Sequence, residues 1–171
     1  MSFTGASILS IEQFSLDDVE RIFAVADRMQ PFASRERVTK VLDGAILGNI
    51  FLEPSTRTRI SFGSAFNLLG GHVRETSDIS SSAFVKGESL QDSARILSGY
   101  SDIICLRHPT SGSVEKFAKH SRVPVINGGD GANEHPTQAL LDLFTIKKEL
   151  RAKNRDINNL RIALVGDLLF G

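Results

Sequence analysis

The sequence is poor in the features that mark secreted, metal-binding or membrane proteins. Its 171 residues include one cysteine, Cys105, which excludes a disulfide within the chain and argues against a zinc site. Cys105 lies in an apolar run, so we expect a small buried side chain in a reducing compartment. The N-terminus has no signal-peptide pattern, and no uninterrupted apolar run approaches the length that crosses a membrane. These absences predict a soluble cytoplasmic protein.

The chain also lacks net charge, because twenty basic side chains balance twenty acidic ones. Overall electrostatics therefore give no reason to expect binding to nucleic acid or to an anionic membrane, and any anion site must be local. A hydrophobic content of 41% is sufficient for a core of ordinary size.

Apolar runs typical of β-strands alternate along the chain with helical patterns. A first helix is predicted from residue 16 to residue 29, before Pro31. Predicted strands at 46–52, 72–76, 102–106, 123–126 and 160–165 alternate with predicted helices at 60–69, 90–97, 114–120 and 137–150. This alternation indicates an α/β fold with an open, mainly parallel β-sheet flanked by helices.

The last predicted strand, at residues 160–165, is followed by Gly166 and Asp167 close to the end of the chain. A buried parallel strand needs cover on both faces, so this strand is expected to begin a second α/β domain that is missing from the chain. We therefore predict a first domain at residues 1–150 and the start of a second, truncated domain at residues 151–171.

The most informative motif follows the first long predicted strand, and it reads Glu53-Pro54-Ser55-Thr56-Arg57-Thr58-Arg59. A proline followed by a serine or threonine able to cap a helix predicts that a helix begins here. Free backbone N–H groups at a helix start favour a dianion, and the arginines and hydroxyls add donors that match phosphate oxygens. The motif therefore predicts a phosphate cradle. The alternative is a capped helix with two solvated arginines.

Two further loops place basic or polar groups after predicted strands. One is Arg107-His108-Pro109, and the other is a glycine-rich segment, 127–131, that leads to His135-Pro136-Thr137-Gln138. Ligands of open α/β sheets bind beyond the carboxyl ends of the strands, so we expect both loops to face the cradle. Taken alone, His135 could cap a helix and Arg107 could be solvated. We assign His108 to structure.

These motifs resemble those of the aspartate/ornithine carbamoyltransferase family. Residues 51–59 are similar to its carbamoyl-phosphate signature, 86–89 to its mobile lysine loop, and the Arg107 and His135 motifs to its other phosphate-side motifs. The resemblance covers essentially the whole chain, which corresponds to about the first half of the family's catalytic subunit. Residues 127–131, residues 140–143 and the lysine loop resemble the aspartate branch of the family, with ornithine specificity as the alternative.

The resemblance implies that an amine attacks carbamoyl phosphate and that phosphate leaves. In the aspartate branch the carbamoyl group passes to the amino group of L-aspartate, for pyrimidine biosynthesis, with no metal or other cofactor. The implied partners are carbamoyl phosphate, L-aspartate and identical chains in a homotrimer, with regulatory chains as a further candidate. Because half of the site is missing, a non-catalytic anion-binding or assembly module stays open, and we expect no turnover from this chain alone.

The resemblance also implies a role for each site residue. The residues implied in binding carbamoyl phosphate are Ser55, Thr56, Arg57, Thr58, Arg107, His135 and Gln138. Among these, Thr58, Arg107 and His135 are implied to stabilise the carbonyl oxygen during catalysis, while Gln138 orients the amide. Ser82 and Lys86 are implied to reach the site of the neighbouring subunit, where Lys86 also binds aspartate. The alternative for that segment is a mobile surface loop with a solvated lysine.

Overall fold

The computed structural model describes residues 2–76, 87–155, 157, 160–163 and 165 of the chain. Within these residues, helices and strands alternate. They are α1 (Leu16–Ala33), β1 (Ile46–Phe51), α2 (Thr56–Leu68), β2 (His72–Thr76), α3 (Leu90–Leu97), β3 (Ile103–His108), α4 (Ser113–Ala118), β4 (Val125–Asp130) and α5 (Pro136–Ala152), after a short 3-10 turn at Ile11–Gln13. None of the described helices is both long and apolar enough to cross a membrane.

Serine caps explain where two of the helices begin. The Ser15 hydroxyl accepts a hydrogen bond from the Asp18 N–H at 3.2 Å, and Asp18 Oδ2 accepts from the Ser15 N–H at 3.1 Å, so the predicted capping box starts α1. Ser89 starts α3 in a similar way, since its hydroxyl accepts from the Asp92 N–H at 3.1 Å. Each cap satisfies a backbone donor that the first helical turn leaves without a partner.

The four strands form one parallel sheet in the order β2-β1-β3-β4. β2 pairs with one side of β1, and β3 pairs with the other side. The direction in which successive strands are added therefore reverses between β1 and β3. At this reversal Phe51 is paired with Arg107, and the Leu52 N–H donates to the Arg107 carbonyl at 2.9 Å. The carboxyl ends of β1 and β3 therefore lie side by side. The predicted α/β fold with an open parallel sheet is confirmed.

Apolar side chains cover both faces of the sheet. One layer consists of Ile50, Leu52, Ala94, Ile104, Leu106, Val114, Phe117 and Val125. The other consists of Leu47, Phe51 and Cys105, with Phe62, Phe66, Val73 and Ile103 packed against them. Cys105 is 0% exposed, which confirms the prediction of a buried side chain, and burial raises the pKa of its thiol.

The first helix is longer than predicted. α1 continues through Pro31 to Ala33 instead of ending before the proline. Pro31 lies in the last turn, where the missing N–H removes one helical hydrogen bond. The turn is still closed, because the Ser34 N–H donates to the Gln30 carbonyl at 2.9 Å.

The fourth strand also extends beyond its predicted end. β4 runs to Asp130, so four residues of the glycine-rich segment predicted as a loop belong to the sheet. Glycine has a low intrinsic preference for strands, but β3 provides a neighbouring ladder, with Leu106 opposite Asn127 and His108 opposite Asp130. Tertiary pairing here overrides the local signal.

The strand predicted at 160–165 is not found in the described part of that segment. Residues 160–163 and 165 have no regular secondary structure. A strand forms only where a neighbour pairs with its N–H and C=O groups, and none of the four strands of the described sheet pairs with this segment. The domain division at residue 150 stays a prediction.

Replacing Leu106 by Ala should lower the free energy of unfolding by about 3 kcal/mol, because removing a fully buried leucine side chain leaves a cavity. Leu16→Ala is the matched control, since Leu16 is 85% exposed, and it should change stability by less than about 0.5 kcal/mol. Urea unfolding monitored by circular dichroism measures both variants. Equal unfolding midpoints would contradict the assignment of Leu106 to the core.

Candidate functional site

A pocket of about 440 Å³ opens between the first turns of α2 and α5, beyond the carboxyl ends of β1 and β4. Its lining residues are Arg57, Thr58, Ser61, Phe62, Ala65, His135, Thr137, Gln138 and Leu141. Four of them, Arg57, Thr58, His135 and Gln138, are site residues predicted from motifs far apart in the sequence. The fold therefore brings the two halves of the predicted site together.

The start of α2 is open to an anion. Ser55 precedes the first turn, yet its side chain makes no capping hydrogen bond within the described structure. The Arg59 N–H donates to the Ser55 carbonyl at 3.2 Å, and the N–H groups between these residues have no helical partner. Ser55 and Thr56 do not line the pocket but directly precede Arg57, which does. Ser55 therefore occupies the N-cap position of α2, but its hydroxyl does not cap the helix within the described structure.

The two arginines of the motif have different surroundings. Arg59 faces β2, where its Nη1 lies 3.4 Å from Glu75 Oε2. The buried Asn49 of β1 joins this contact, since its Nδ2 donates to the Arg59 carbonyl at 3.0 Å and to Glu75 Oε1 at 3.1 Å. Arg57 instead lines the pocket, and no ion pair joins it to any residue that the structure describes. Arg59 therefore faces β2 and does not line the pocket, whereas Arg57 does.

Arg107, near the end of β3, is held by Glu53, the first residue of the α2 motif. Its Nη2 donates to Glu53 Oε1 at 3.3 Å, and its Nη1 donates to the Gly128 carbonyl at 3.2 Å. Its Nε lies 3.3 Å from Glu53 Oε2, but these two buried atoms are not aligned as a hydrogen bond and have no other partner among the described residues. The guanidinium therefore keeps unused hydrogen-bonding capacity.

Gly129 of β4 marks the point where Arg107 and His135 converge. A Cβ at this position would lie 2.8 Å from Arg107 Nη1 and 3.4 Å from His135 Cδ2. Its φ of +117° also lies in the region that favours glycine. The sequence pattern suggests only a loop here, although paired glycines after an apolar run are also a sign of close backbone approach. Because Gly129 has no side chain, Arg107 can lie beside His135. Gly129 is not one of the residues that line the pocket.

His135 directly precedes α5, with Pro136 in the first turn. Its ring makes no capping bond to the part of the chain that is described, and its Nδ1 lies 3.4 Å from Thr137 Oγ1. Burial lowers the pKa of His135, and the nearby Arg107 charge lowers it further. The imidazole is therefore neutral at neutral pH and can donate a hydrogen bond without carrying a charge. His135 therefore occupies the N-cap position of α5, but its ring does not cap the helix within the described structure.

The remaining predicted residues are only partly covered by the structure. Gln138 is exposed, and its Nε2 donates to Asp142 Oδ1 at 2.9 Å. The structural role of His108 is confirmed, because its Nδ1 accepts from the Thr110 N–H at 3.0 Å. Ser82 and Lys86 lie outside the described residues, so their roles stay predictions. In the described ranges, no group of three or more His, Cys, Asp or Glu side chains is arranged to hold a metal ion.

Gly129→Ala should lower the free energy of unfolding by about 2 kcal/mol, because the backbone at φ +117° is strained for any side chain and the new Cβ also displaces the end of the Arg107 side chain. Gly44→Ala is the matched control: Gly44 also has a positive φ, +82°, but a Cβ there would meet nothing within 4 Å. Backbone strain alone should then lower the free energy of unfolding of Gly44→Ala by about 1 kcal/mol. Chemical unfolding measures the difference, and equal losses would mean that Arg107 does not need the space.

Stability should fall as the pH decreases below 6.5. Burial lowers the pKa of His108 and His135 from the usual 6.5, so between the folded-state pKa and 6.5 the unfolded chain binds more protons. The histidine contribution to the free energy of unfolding is therefore constant above this window and decreases as the pH falls through it. His135→Gln should flatten the decrease between pH 7 and pH 5.5, roughly the range of histidine titration. Identical slopes for both proteins, from urea unfolding at each pH, would contradict a depressed pKa of His135.

Comparisons with known proteins show which family the chain is similar to. A family model described as "Aspartate/ornithine carbamoyltransferase, carbamoyl-P binding domain" matches residues 6–148. The aspartate carbamoyltransferase catalytic subunit of Cellvibrio japonicus is 70% identical over 171 residues, which are 100% of this chain and 51% of that subunit. The aspartate carbamoyltransferase catalytic subunit of Methanocaldococcus jannaschii is 45% identical over 164 residues, 96% of this chain and 52% of that subunit. The chain thus spans about half the length of these relatives.

Solved structures show the same fold. The ligand-free aspartate transcarbamoylase of Trypanosoma cruzi gives a TM-score of 0.85 at 40% identity, over 98% of this chain and 52% of that one. The enzyme from the same organism in complex with carbamoyl phosphate and aspartate gives a TM-score of 0.80 at 41% identity, over 86% of this chain and 48% of that one. The family model and the relatives show that the chain belongs to the aspartate/ornithine carbamoyltransferase family.

Proposed function

We propose that this chain is the carbamoyl-phosphate-binding part of an aspartate carbamoyltransferase catalytic subunit. The full reaction transfers the carbamoyl group of carbamoyl phosphate to the amino group of L-aspartate and yields N-carbamoyl-L-aspartate and phosphate, as a step of pyrimidine biosynthesis. The observation that carries the proposal is the pocket where Arg57, Thr58, His135 and Gln138 meet beside an uncapped helix start. The relatives named for aspartate support aspartate over ornithine as the acceptor.

The phosphate group is proposed to bind at the start of α2. Its negative charge is matched by unpaired backbone N–H groups, by the positive end of the helix dipole and by the Arg57 guanidinium. Ser55, Thr56 and Thr58 add hydroxyl donors in the same turn. Because these donors are in place before the reaction, they stabilise the growing charge on the departing phosphate without reorganising.

The carbonyl oxygen of the substrate is proposed to lie near Thr58, Arg107 and His135. When the amine attacks, this oxygen becomes an anion, and one preorganised donor stabilises such an anion by about 3 kcal/mol. A neutral His135 suits this task, since it donates a hydrogen bond without first taking up a proton. Arg107 is proposed to donate to the same oxygen after it gives up part of its contact with Glu53. Little free energy is lost in this change of partner, because the Arg107 Nε is not aligned for a hydrogen bond with Glu53.

Gln138 is proposed to hold the carbamoyl amide and so to orient the carbonyl face toward the amine. Its Nε2 donates to Asp142 Oδ1, which fixes the direction of the side-chain amide. The Gln138 amide oxygen then serves as an acceptor for the carbamoyl NH₂ group. Orientation of this kind lowers the barrier because the reacting groups lose less freedom in the transition state.

The proposal extends to the assembly and location of the enzyme. Ser82 and Lys86 are proposed to complete the site of a neighbouring chain in a homotrimer, and Lys86 to bind aspartate as well. Residues 1–150 are proposed to form the carbamoyl-phosphate-binding domain, and 151–171 to begin the aspartate-binding domain. A cytoplasmic location fits a chain whose single cysteine, Cys105, is a buried free thiol.

Arg57→Ala should weaken the binding of carbamoyl phosphate to the chain by roughly 10- to 100-fold, because charge-assisted hydrogen bonds to the phosphate are lost. Arg59→Ala is the matched control, since it removes the same charge from the same helical turn but from a side chain that faces Glu75. Long-range electrostatics alone should change its affinity by less than about threefold. Isothermal titration calorimetry measures both variants, with inorganic phosphate as a second ligand.

The pair of variants separates the proposed site from a general charge effect. Equal losses of affinity would mean that the positive charge of α2 attracts anions non-specifically. Unchanged affinity in Arg57→Ala would refute the phosphate site. Circular dichroism of each variant confirms that a loss of binding is not a loss of folding.

A further inference from the structure

The carboxylate of Asp130, the last residue of β4, is buried and fully engaged. The residue is 1% exposed, and its Oδ2 accepts from the Gly112 N–H at 2.8 Å. Its Oδ1 accepts from the Glu134 N–H at 3.0 Å and from Asn127 Nδ2 at 3.2 Å. Asn133 Nδ2 donates to both oxygens, at 3.3 Å and 3.2 Å. Burial of the charge is tolerated because these donors replace water.

These hydrogen bonds determine the backbone that leads into His135. The Asp130 N–H donates to the Glu134 carbonyl at 3.2 Å, while Asp130 Oδ1 accepts from the Glu134 N–H at 3.0 Å. This reciprocal pair closes the loop of residues 130–134, and His135 is the next residue along the chain. The Gly131 N–H also donates to the His108 carbonyl at 3.0 Å, which fixes the loop against β3.

Asp130 also joins this loop to the one that follows β3. Gly112, whose N–H donates to Asp130, occupies the position before α4 and ends the loop that begins after His108. Arg107 directly precedes His108 in β3. A single carboxylate therefore connects the chain just after Arg107 with the chain just before His135.

The outer side of the same loop is tied to the N-terminal segment. Ser10 Oγ donates to Glu134 Oε1 at 2.8 Å, and the Ile11 N–H donates to Glu134 Oε2 at 3.2 Å. The backbone of Glu134 is thus hydrogen-bonded to Asp130, while the side chain of Glu134 is hydrogen-bonded to Ser10 and Ile11. This double attachment fixes the position of Glu134, the residue directly before His135.

We propose that Asp130 is a positioning residue, whose buried carboxylate holds His135 beside Arg107 through the loop of residues 130–134 and never touches the substrate. The importance of this placement for the reaction rests on the proposed function. The placement itself is a property of the folded chain, so it is testable without substrate. A purely structural role would change stability and leave His135 unaltered in the folded molecules.

Two histidines near Asp130 report different consequences of removing its charge. The pKa of His108 is lowered by burial and raised by the Asp130 charge, by the Thr110 backbone and by Glu53. Removing the Asp130 charge should therefore lower the pKa of His108 further. His108 thus serves as an internal sensor of the charge change itself.

His135 should respond in the opposite direction. Its pKa is lowered by burial and by Arg107, and raised by a hydrogen bond to its own backbone, by Asp142 and by Glu53. If the loop relaxes, His135 moves into water and away from Arg107, and both changes raise its pKa. Loss of a negative charge alone would lower the pKa of His135. The sign of the change in this pKa therefore distinguishes a movement of His135 from a simple effect of the lost charge.

The test is an NMR titration of the histidine side chains in the 171-residue chain and in its Asp130→Asn variant. Asn is close to Asp in size, but its NH₂ group faces donors where a carboxylate oxygen accepted hydrogen bonds. We expect the pKa of His135 to rise toward 6.5, its usual value, while that of His108 falls. Asp18→Asn, which replaces another buried carboxylate, 4% exposed, should leave both pKa values unchanged. A pKa of His135 that stays constant or falls in folded Asp130→Asn would overturn the proposal.

Asn133→Ala provides the same test if Asp130→Asn does not fold. Asn133 is exposed and donates to both Asp130 oxygens, so its removal loosens the loop without burying an unpaired group. The pKa of His135 should again rise, by a smaller amount. No rise in this variant would equally overturn the proposal.

Ligand titration then connects the placement to the proposed reaction. Asp130→Asn should weaken carbamoyl phosphate binding by roughly tenfold, the effect of about one lost hydrogen bond, and should leave inorganic phosphate binding nearly unchanged. Equal losses for both ligands would indicate a general disturbance and count against positioning through His135. If the wild-type chain binds neither ligand, the proposed function fails, and the histidine titration still decides the role of Asp130.

Discussion

The parallel register of β1 and β3 is the constraint on which the rest of the site depends. With Phe51 opposite Arg107, the carboxylate of Glu53 that follows β1 comes within 3.3 Å of the guanidinium near the end of β3. A shift of one residue would turn every buried side chain of either strand to the wrong face of the sheet. The layers that cover both faces therefore hold Arg107 in place, and core packing and site geometry have the same origin.

Local pairing of charges explains how a chain with no net charge leaves the Arg57 guanidinium at the pocket without a carboxylate partner among the described residues. Arg59 is paired with Glu75 and Arg107 with Glu53, whereas Arg57 faces the pocket next to the positive end of the α2 dipole. Burial keeps His135 neutral, so it adds a donor to this arrangement without adding charge. The site thus combines one exposed cation with preorganised neutral donors, which suits an anionic ligand whose charge grows during a reaction.

Much of the fold was predictable because its signals are local. The bounds of β2 and α3 coincide with the predicted 72–76 and 90–97, since apolar periodicity and a serine cap act within a few residues. The end of α1 and the extent of β4 were not predictable in this way. Proline and glycine lower the local preference for a helix or a strand, and contacts with the rest of the molecule override that preference.

The sequence by itself determined the α/β class, the helix start after Pro54 and the hydrogen-bond donors that this helix start carries, because periodicity, capping and donor chemistry are properties of short segments. Only the tertiary structure decided that Arg57 and not Arg59 faces the pocket, and that Glu53 holds Arg107. It alone also decided that Asp130 anchors the loop before His135. Each of these outcomes depends on a contact between segments that are distant in the chain, and no local pattern encodes such a contact.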